Sequence, residues 1–122
     1  QIRPNVHIED ITDLYIYFLE KGSSVTGIFN AGFQNLSVLD IAHLVQNEIP
    51  SEIVIEDSND PRSYRVNSDK LLKTGFKPKK TVSHAINEII AAFRRGELRD
   101  EPHFHNLNWM NKMISDQRRL AQ

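Results

Sequence analysis

Cysteine is absent from the 122 residues, which excludes a disulfide framework and any thiolate metal site. No apolar run is long enough to cross a bilayer. No charged start followed by an apolar core marks a secretory signal. Neither sign of charge dominates: 15 Lys and Arg stand against 16 Asp and Glu, for a formal net charge of -1. That balance gives no global attraction to nucleic acid or to an anionic membrane. A cytoplasmic protein is therefore the default expectation. The first residue is Gln1 rather than Met, which suggests a fragment or a proteolytic product.

Glycine is also scarce. The five glycines, Gly22, Gly27, Gly32, Gly75 and Gly96, never form the close spacing after a strand that lets a backbone approach a pyrophosphate. No phosphate loop ends in Gly-Lys-Ser/Thr. The one Tyr followed four residues later by Lys is Tyr17, with Lys21; Tyr17 is read as a packing residue of the first helix rather than as a proton-transfer group. The chain therefore carries no catalytic residue, no cofactor-binding residue and no metal ligand set of a recognisable kind.

What is present reads as alternating strands and helices. Hydrophobic residues make up 39% of the chain, enough for a modest core. A short extended stretch over Asn5–Ile8 leads into a first helix. In it Ile11, Leu14, Tyr15, Phe18 and Leu19 recur at helical spacing, with Tyr17 off the main face. Glu9 and Asp10 place negative charge in its first turn, and Gly22 is a C-terminal stop. Thr26–Gly32 reads as a buried strand. Ser37, with Asp40 in the capping-box position, opens a second helix that Pro50 ends.

The β-branched run Glu52–Glu56 predicts a second strand, followed by a loop over Asp57–Pro61. Tyr64–Val66 is briefly extended. Asn67 or Ser68 caps a short helix over Asp69–Lys73, and Thr81 caps a longer one that Gly96 breaks. Beyond Glu97 the chain is polar, with a terminal helix expected from about Asn106 to Arg119. Alternation of this kind implies an α/β fold with a thin, mainly parallel sheet and about four to five helices. A sheet that thin normally leans on a further domain. The expected division is a domain over 1–96 and a polar tail over 97–122.

Several clusters have chemical potential. Arg3 precedes the first helix, and arginine grips phosphate through a planar, two-pronged donor set. Asp57, Asp60, Arg62, Tyr64 and Arg65 combine carboxylates, guanidinium groups and an aromatic ring beyond a strand end, where open α/β sheets bind ligands. Each also reads as ordinary solvated charge. His103 and His105 beside Glu101 offer two metal ligands, but no third is placed by a recognisable spacing. His7 with Glu9 and Asp10 fits an anchored helix start better than an acid–base site. Lys77-Pro78-Lys79-Lys80 is too short, and lacks interleaved aromatics, for a nucleic-acid surface.

Order and spacing add a resemblance. Arg3-Pro4-Asn5-Val6-His7-Ile8-Glu9-Asp10 resembles the Arg-x-x-x-His-Val-x-Asp segment of the extended short-chain dehydrogenase/reductase family, the NAD-dependent nucleotide-sugar epimerases and dehydratases. Gly27–Gly32 is similar to that family's Tyr-Asn-Val-Gly strand, followed by Leu36–Ile41 opening a helix. Asp60–Leu71 resembles its Asp-x-Arg…Asp-x-x-Lys segment, and Gly75-Phe76-Lys77-Pro78 and Thr81 also fit. The resemblance runs from Arg3 to about Phe93.

The resemblance implies the C-terminal substrate-binding part of such an enzyme, normally attached to a Rossmann domain. Arg3 would reach the diphosphate of a nucleotide-sugar, Asp60 would lie near the nucleotide, and Arg62 would stand at an often basic position. Many relatives carry a second arginine three residues before the aspartate; here that residue is Asp57. Arg62 or Arg65 compensates, or the phosphate is held differently. NAD would be bound by an N-terminal half upstream of Gln1, and the intact enzyme would act by transient hydride transfer. The expected partners are the nucleotide-sugar, the Rossmann domain and, through that domain, a second copy of the protein. The alternative is a non-catalytic protein-interaction or assembly module derived from the same family; a small metal-dependent hydrolase using the two histidines stands further off.

Overall fold

The computed structural model describes residues 1–57, 59 and 61–120, without the side chains of 117, 118 and 120. In chain order it contains β1 (Ile2–Asn5), α1 (Ile8–Lys21), a 3-10 turn (Gly22–Ser24), β2 (Gln34–Ser37), α2 (Val38–Glu48), α3 (Asp69–Leu72), α4 (Val82–Arg94), a second 3-10 turn (Pro102–Phe104) and α5 (Asn106–Leu120). The chain divides into two compact units, Gln1–Glu88 and Ile89–Gln122. Among the described residues no helix is long and apolar enough to cross a membrane.

Among the described residues mixed α/β character is present, with five α-helices and a two-stranded sheet. The mainly parallel sheet is not. β1 and β2 pair antiparallel, from Ile2 opposite Ser37 to Asn5 opposite Gln34. The reason lies in the route between them. After α1 the chain turns at Gly22 and returns along the helix, so that Phe29 meets Phe18 at 5.4 Å between ring centroids. It reaches the far end of β1, where the Phe33 amide donates to the Asn5 carbonyl. β2 then runs back along β1.

That return segment is the stretch 26–32 expected to be a strand. Its backbone groups are taken by side chains instead of a ladder. Lys70 Nζ donates to the Ile28 carbonyl, and the Ser68 hydroxyl both accepts from the Gly32 amide and donates to its carbonyl. The second expected strand, 52–56, is also absent from the sheet. Val54 and Ile55 are 70% and 79% exposed, so β-branched composition found no partner to pack against.

Helix boundaries follow local chemistry closely. Gly22 ends α1 at φ 54°, a conformation that L side chains rarely adopt. Ser37 and Asp40 make both bonds of a reciprocal capping box on α2, and those bonds hold the Asp40 carboxyl below its usual range. At α3 the Asn67 side chain, not Ser68, accepts from the Asp69 amide at 2.7 Å. α5 occupies the segment expected for a terminal helix.

The core of the first unit is small: Leu14, Leu71 and Phe76, with Tyr17, Phe18, Phe29, Ala31 and Phe33 packed against it. α1 turns Leu14 and Phe18 inward as its spacing suggested, but not the whole expected stripe. Tyr15 and Leu19 are 70% and 82% exposed, whereas Tyr17 packs edge-on against Phe76 and donates its hydroxyl proton to the Thr74 carbonyl. Apolar residues stand on more than one side of α1, and the positions of segments 29–33 and 71–76 select the buried side. In the second unit the His103 ring lies against Phe104 and Trp109.

Candidate functional site

The first unit brings Arg3 to the segment that follows the late loop. Arg3 is half-buried on β1, and one terminal guanidinium nitrogen donates to its neighbour's carbonyl on Ile2 at 3.0 Å and to the Arg62 carbonyl at 2.6 Å. Its guanidinium carbon stands 5.3 Å from the centre of the Tyr64 ring, within cation–π range. Two segments that share no local sequence thus meet around one guanidinium group. Arg62 and Arg65 are exposed. Asp60 falls outside the described residues.

Side chains hold the loop segment in place beside the sheet. The Ser63 hydroxyl accepts from the Ile2 amide at 3.0 Å, and the Tyr64 amide donates to the Ile2 carbonyl at 3.2 Å. The Asn35 side chain acts as a surrogate strand: its oxygen accepts from the Val66 amide at 2.9 Å and its nitrogen donates to the Val66 carbonyl at 3.0 Å. Residues 63–66 are therefore pinned to β1 by Ser63 and main chain and to β2 by Asn35. Gly32 lies beneath this junction. A Cβ at that position would come within 2.8 Å of Pro4 Cβ and 3.4 Å of Val66 Cβ, so the close approach requires glycine. Neither Asn35 nor Ser63 carries a sequence signal for this role; an isolated amide or hydroxyl looks the same on any surface.

A second constellation surrounds the start of α1. His7 is buried; its Nδ1 accepts from the Glu9 amide at 3.2 Å and its Nε2 lies 3.1 Å from the Glu88 carboxylate. Lys80 Nζ bridges Glu88 at 2.8 Å and Glu9 at 3.0 Å. This pairing raises the Lys80 ammonium well above the usual lysine range, through Glu88 first and Glu9 second. It lowers the Glu88 carboxyl, mainly through the hydrogen bond from Lys80. Asp10, 1% exposed, accepts from the Lys79 and Lys80 amides at 2.8 and 3.1 Å. The carboxylates near His7 thus serve to anchor helix and loop. Lys79 pairs with Asp13 at 2.6 Å, so two of the cations in the basic stretch are already neutralised.

His103 and His105 do not converge on a common point with their acidic neighbours. His105 Nε2 pairs with Asp100 at 2.8 Å and His103 Nδ1 with Glu101 at 3.4 Å. Among the described residues no group of three or more His, Asp or Glu side chains could hold a metal ion.

Three helix N-termini already have protein acceptors. A pyrophosphate needs an open, glycine-lined helix N-terminus. Here α1 is capped by His7, α2 by Ser37 and Asp40, and the first amide of α4 by Gln34 Oε1 at 2.6 Å. No family model matches the sequence, and no solved structure matches the chain.

Proposed function

We propose that this chain is the substrate-binding part of an NAD-dependent nucleotide-sugar epimerase or dehydratase, and that Arg3 and the 60–66 segment hold the nucleotide diphosphate. The observation that carries this reading is the meeting of Arg3 with Arg62 and Tyr64. The guanidinium and the Arg62 carbonyl lie 59 residues apart in sequence and 2.6 Å apart in space. The same two segments carry the resemblance to that enzyme family. A guanidinium held by backbone carbonyls and an aromatic face keeps a fixed orientation, which favours paired hydrogen bonds to a phosphate.

In this reading the chain orients the nucleotide-sugar, and binding that fixes a reactant is itself a large part of catalysis. Proton transfer and the dinucleotide belong to a Rossmann domain of the parent enzyme. The test is titration of the chain with UDP, GDP and dTDP, followed by NMR. Saturable binding that shifts the Arg3 and Tyr64 signals is expected, weakened about ten-fold or more in Arg3→Ala. Absence of binding for every nucleoside diphosphate, or binding unaffected by Arg3→Ala, would overturn the reading.

One observation favours the second reading, a protein-interaction module. Ile8, Tyr15, Leu19 and Ile28 are each at least 70% exposed, apolar side chains available to a partner surface.

A further inference from the structure

His7 sits at the junction of β1 and α1 as the N-cap of the helix, with extended backbone angles of φ -76° and ψ 144°. Serine, threonine, asparagine and aspartate usually fill this position, because each presents an oxygen to the unpaired amides of the first turn. Here the acceptor is a ring nitrogen, Nδ1, which receives the Glu9 amide proton. A nitrogen that accepts carries no proton, so the neutral ring bears its hydrogen on Nε2. That hydrogen points to Glu88 Oε2 on α4. The neutral imidazole therefore satisfies both of its nitrogens and ties two helices together.

We propose that His7 is a pH-sensitive latch: the neutral ring caps α1 and tethers it to Glu88, and a second proton on Nδ1 releases the cap while keeping the tether. An imidazolium has two donors and no acceptor, so Nδ1–H would face the Glu9 N–H donor to donor. It would also place positive charge at the positive end of the α1 dipole. The charged groups around the ring act in both directions. Glu88 from α4 and Glu9 and Asp10 from the first turn of α1 favour the imidazolium. Lys80 from the preceding loop, bridging Glu88 and Glu9, opposes it. Protonation thus exchanges the Nδ1 cap for a charged Nε2–Glu88 pair, and the first turn of α1 loosens. That turn is the continuation of β1, the strand that carries Arg3.

Imidazoles titrate in the range from about pH 5 to about pH 8, so the experiment compares those two ends. The intact chain is labelled with nitrogen-15, and ring-nitrogen shifts are recorded with the hydrogen-exchange protection of the Glu9 amide, corrected for intrinsic exchange. At the upper pH the Nδ1 shift is expected to be that of a bare acceptor. At the lower pH it becomes that of a protonated nitrogen, and Glu9 protection falls about five-fold, the worth of one helix cap. In His7→Asn, whose amide oxygen caps without titrating, Glu9 protection should not change with pH. A wild-type ring that stays neutral at the lower pH, unchanged Glu9 protection, or an equal loss in His7→Asn would each overturn the proposal. Where the variant does not fold, the wild-type ring and amide measurements decide by themselves.

Discussion

Replacing Asp10 by alanine should be among the most damaging single changes to this chain. The carboxylate is 1% exposed, and its two oxygens accept from consecutive backbone amides, Lys79 at 2.8 Å and Lys80 at 3.1 Å. These bonds join the first turn of α1 to the loop that leads into α4. Hydrogen bonds to a charged acceptor contribute about 1.5–3 kcal/mol each. Alanine removes both and leaves two partly buried donors unpaired, a loss of about 3–5 kcal/mol. A small domain has about 5–15 kcal/mol in total, so the variant keeps only a fraction of its stability. Asp10→Asn is the control: one oxygen still accepts, but the amide nitrogen opposes the other N–H, for a loss of about 2 kcal/mol. Urea unfolding followed by circular dichroism reads the difference. With a slope of about 1–3 kcal/mol per molar, Asp10→Ala should move the midpoint down by about 2 M and Asp10→Asn by about half as much. A shift in Asp10→Ala no larger than that of an ordinary surface substitution would refute the argument. It would mean that Asp10 acts only as a dipole charge at the helix start.

Leu71 is completely buried at the centre of the core, so Leu71→Ala should cost about 3 kcal/mol in the same urea assay, with the slope unchanged. Gly32→Ala should destabilise by about 1–3 kcal/mol, because its new methyl meets Pro4 Cβ within 2.8 Å; exchange protection of the Val66 amide should fall with it. The Lys80–Glu88 pair predicts an acid limb. Glu88 is lowered by Lys80, so its stabilisation is complete above the usual glutamate range and is lost as the pH falls through its lowered value; Lys80 is raised, so its part persists through neutral pH and is lost only above the usual lysine range. Lys80→Met should therefore flatten the stability profile on the acid side, read as the urea midpoint against pH.

Local elements were legible where a few neighbouring residues decide them. The end of α1 at Gly22, the Ser37–Asp40 capping box, the start of α3 after Asn67 and the extent of α5 all follow from short-range sterics and hydrogen bonding. The strands were not legible in the same way. Residues 26–32 have the apolar centre and glycine borders of a strand, but Lys70 and Ser68 claim their backbone groups from another part of the chain. The stripe that α1 buries was legible in part: Leu14 and Phe18 lie inward as their spacing suggested, but Tyr17 replaced Tyr15 and Leu19 through the position of the returning segment.

For the candidate site, the sequence by itself determined which side chains have the chemistry to hold a phosphate: Arg3 and Arg62, with Tyr64 between Arg62 and Arg65. It also determined the absence of a glycine fingerprint, because that depends on spacing alone. Only the tertiary structure decided that Arg3 and the 62–64 backbone meet, that Asn35 and Ser63 pin them together, and that the sheet is antiparallel. The physical reason is one of range. Capping and helix periodicity act over a few residues, whereas strand pairing and the meeting of distant loops depend on the path of the whole chain and on which backbone groups other side chains have already taken.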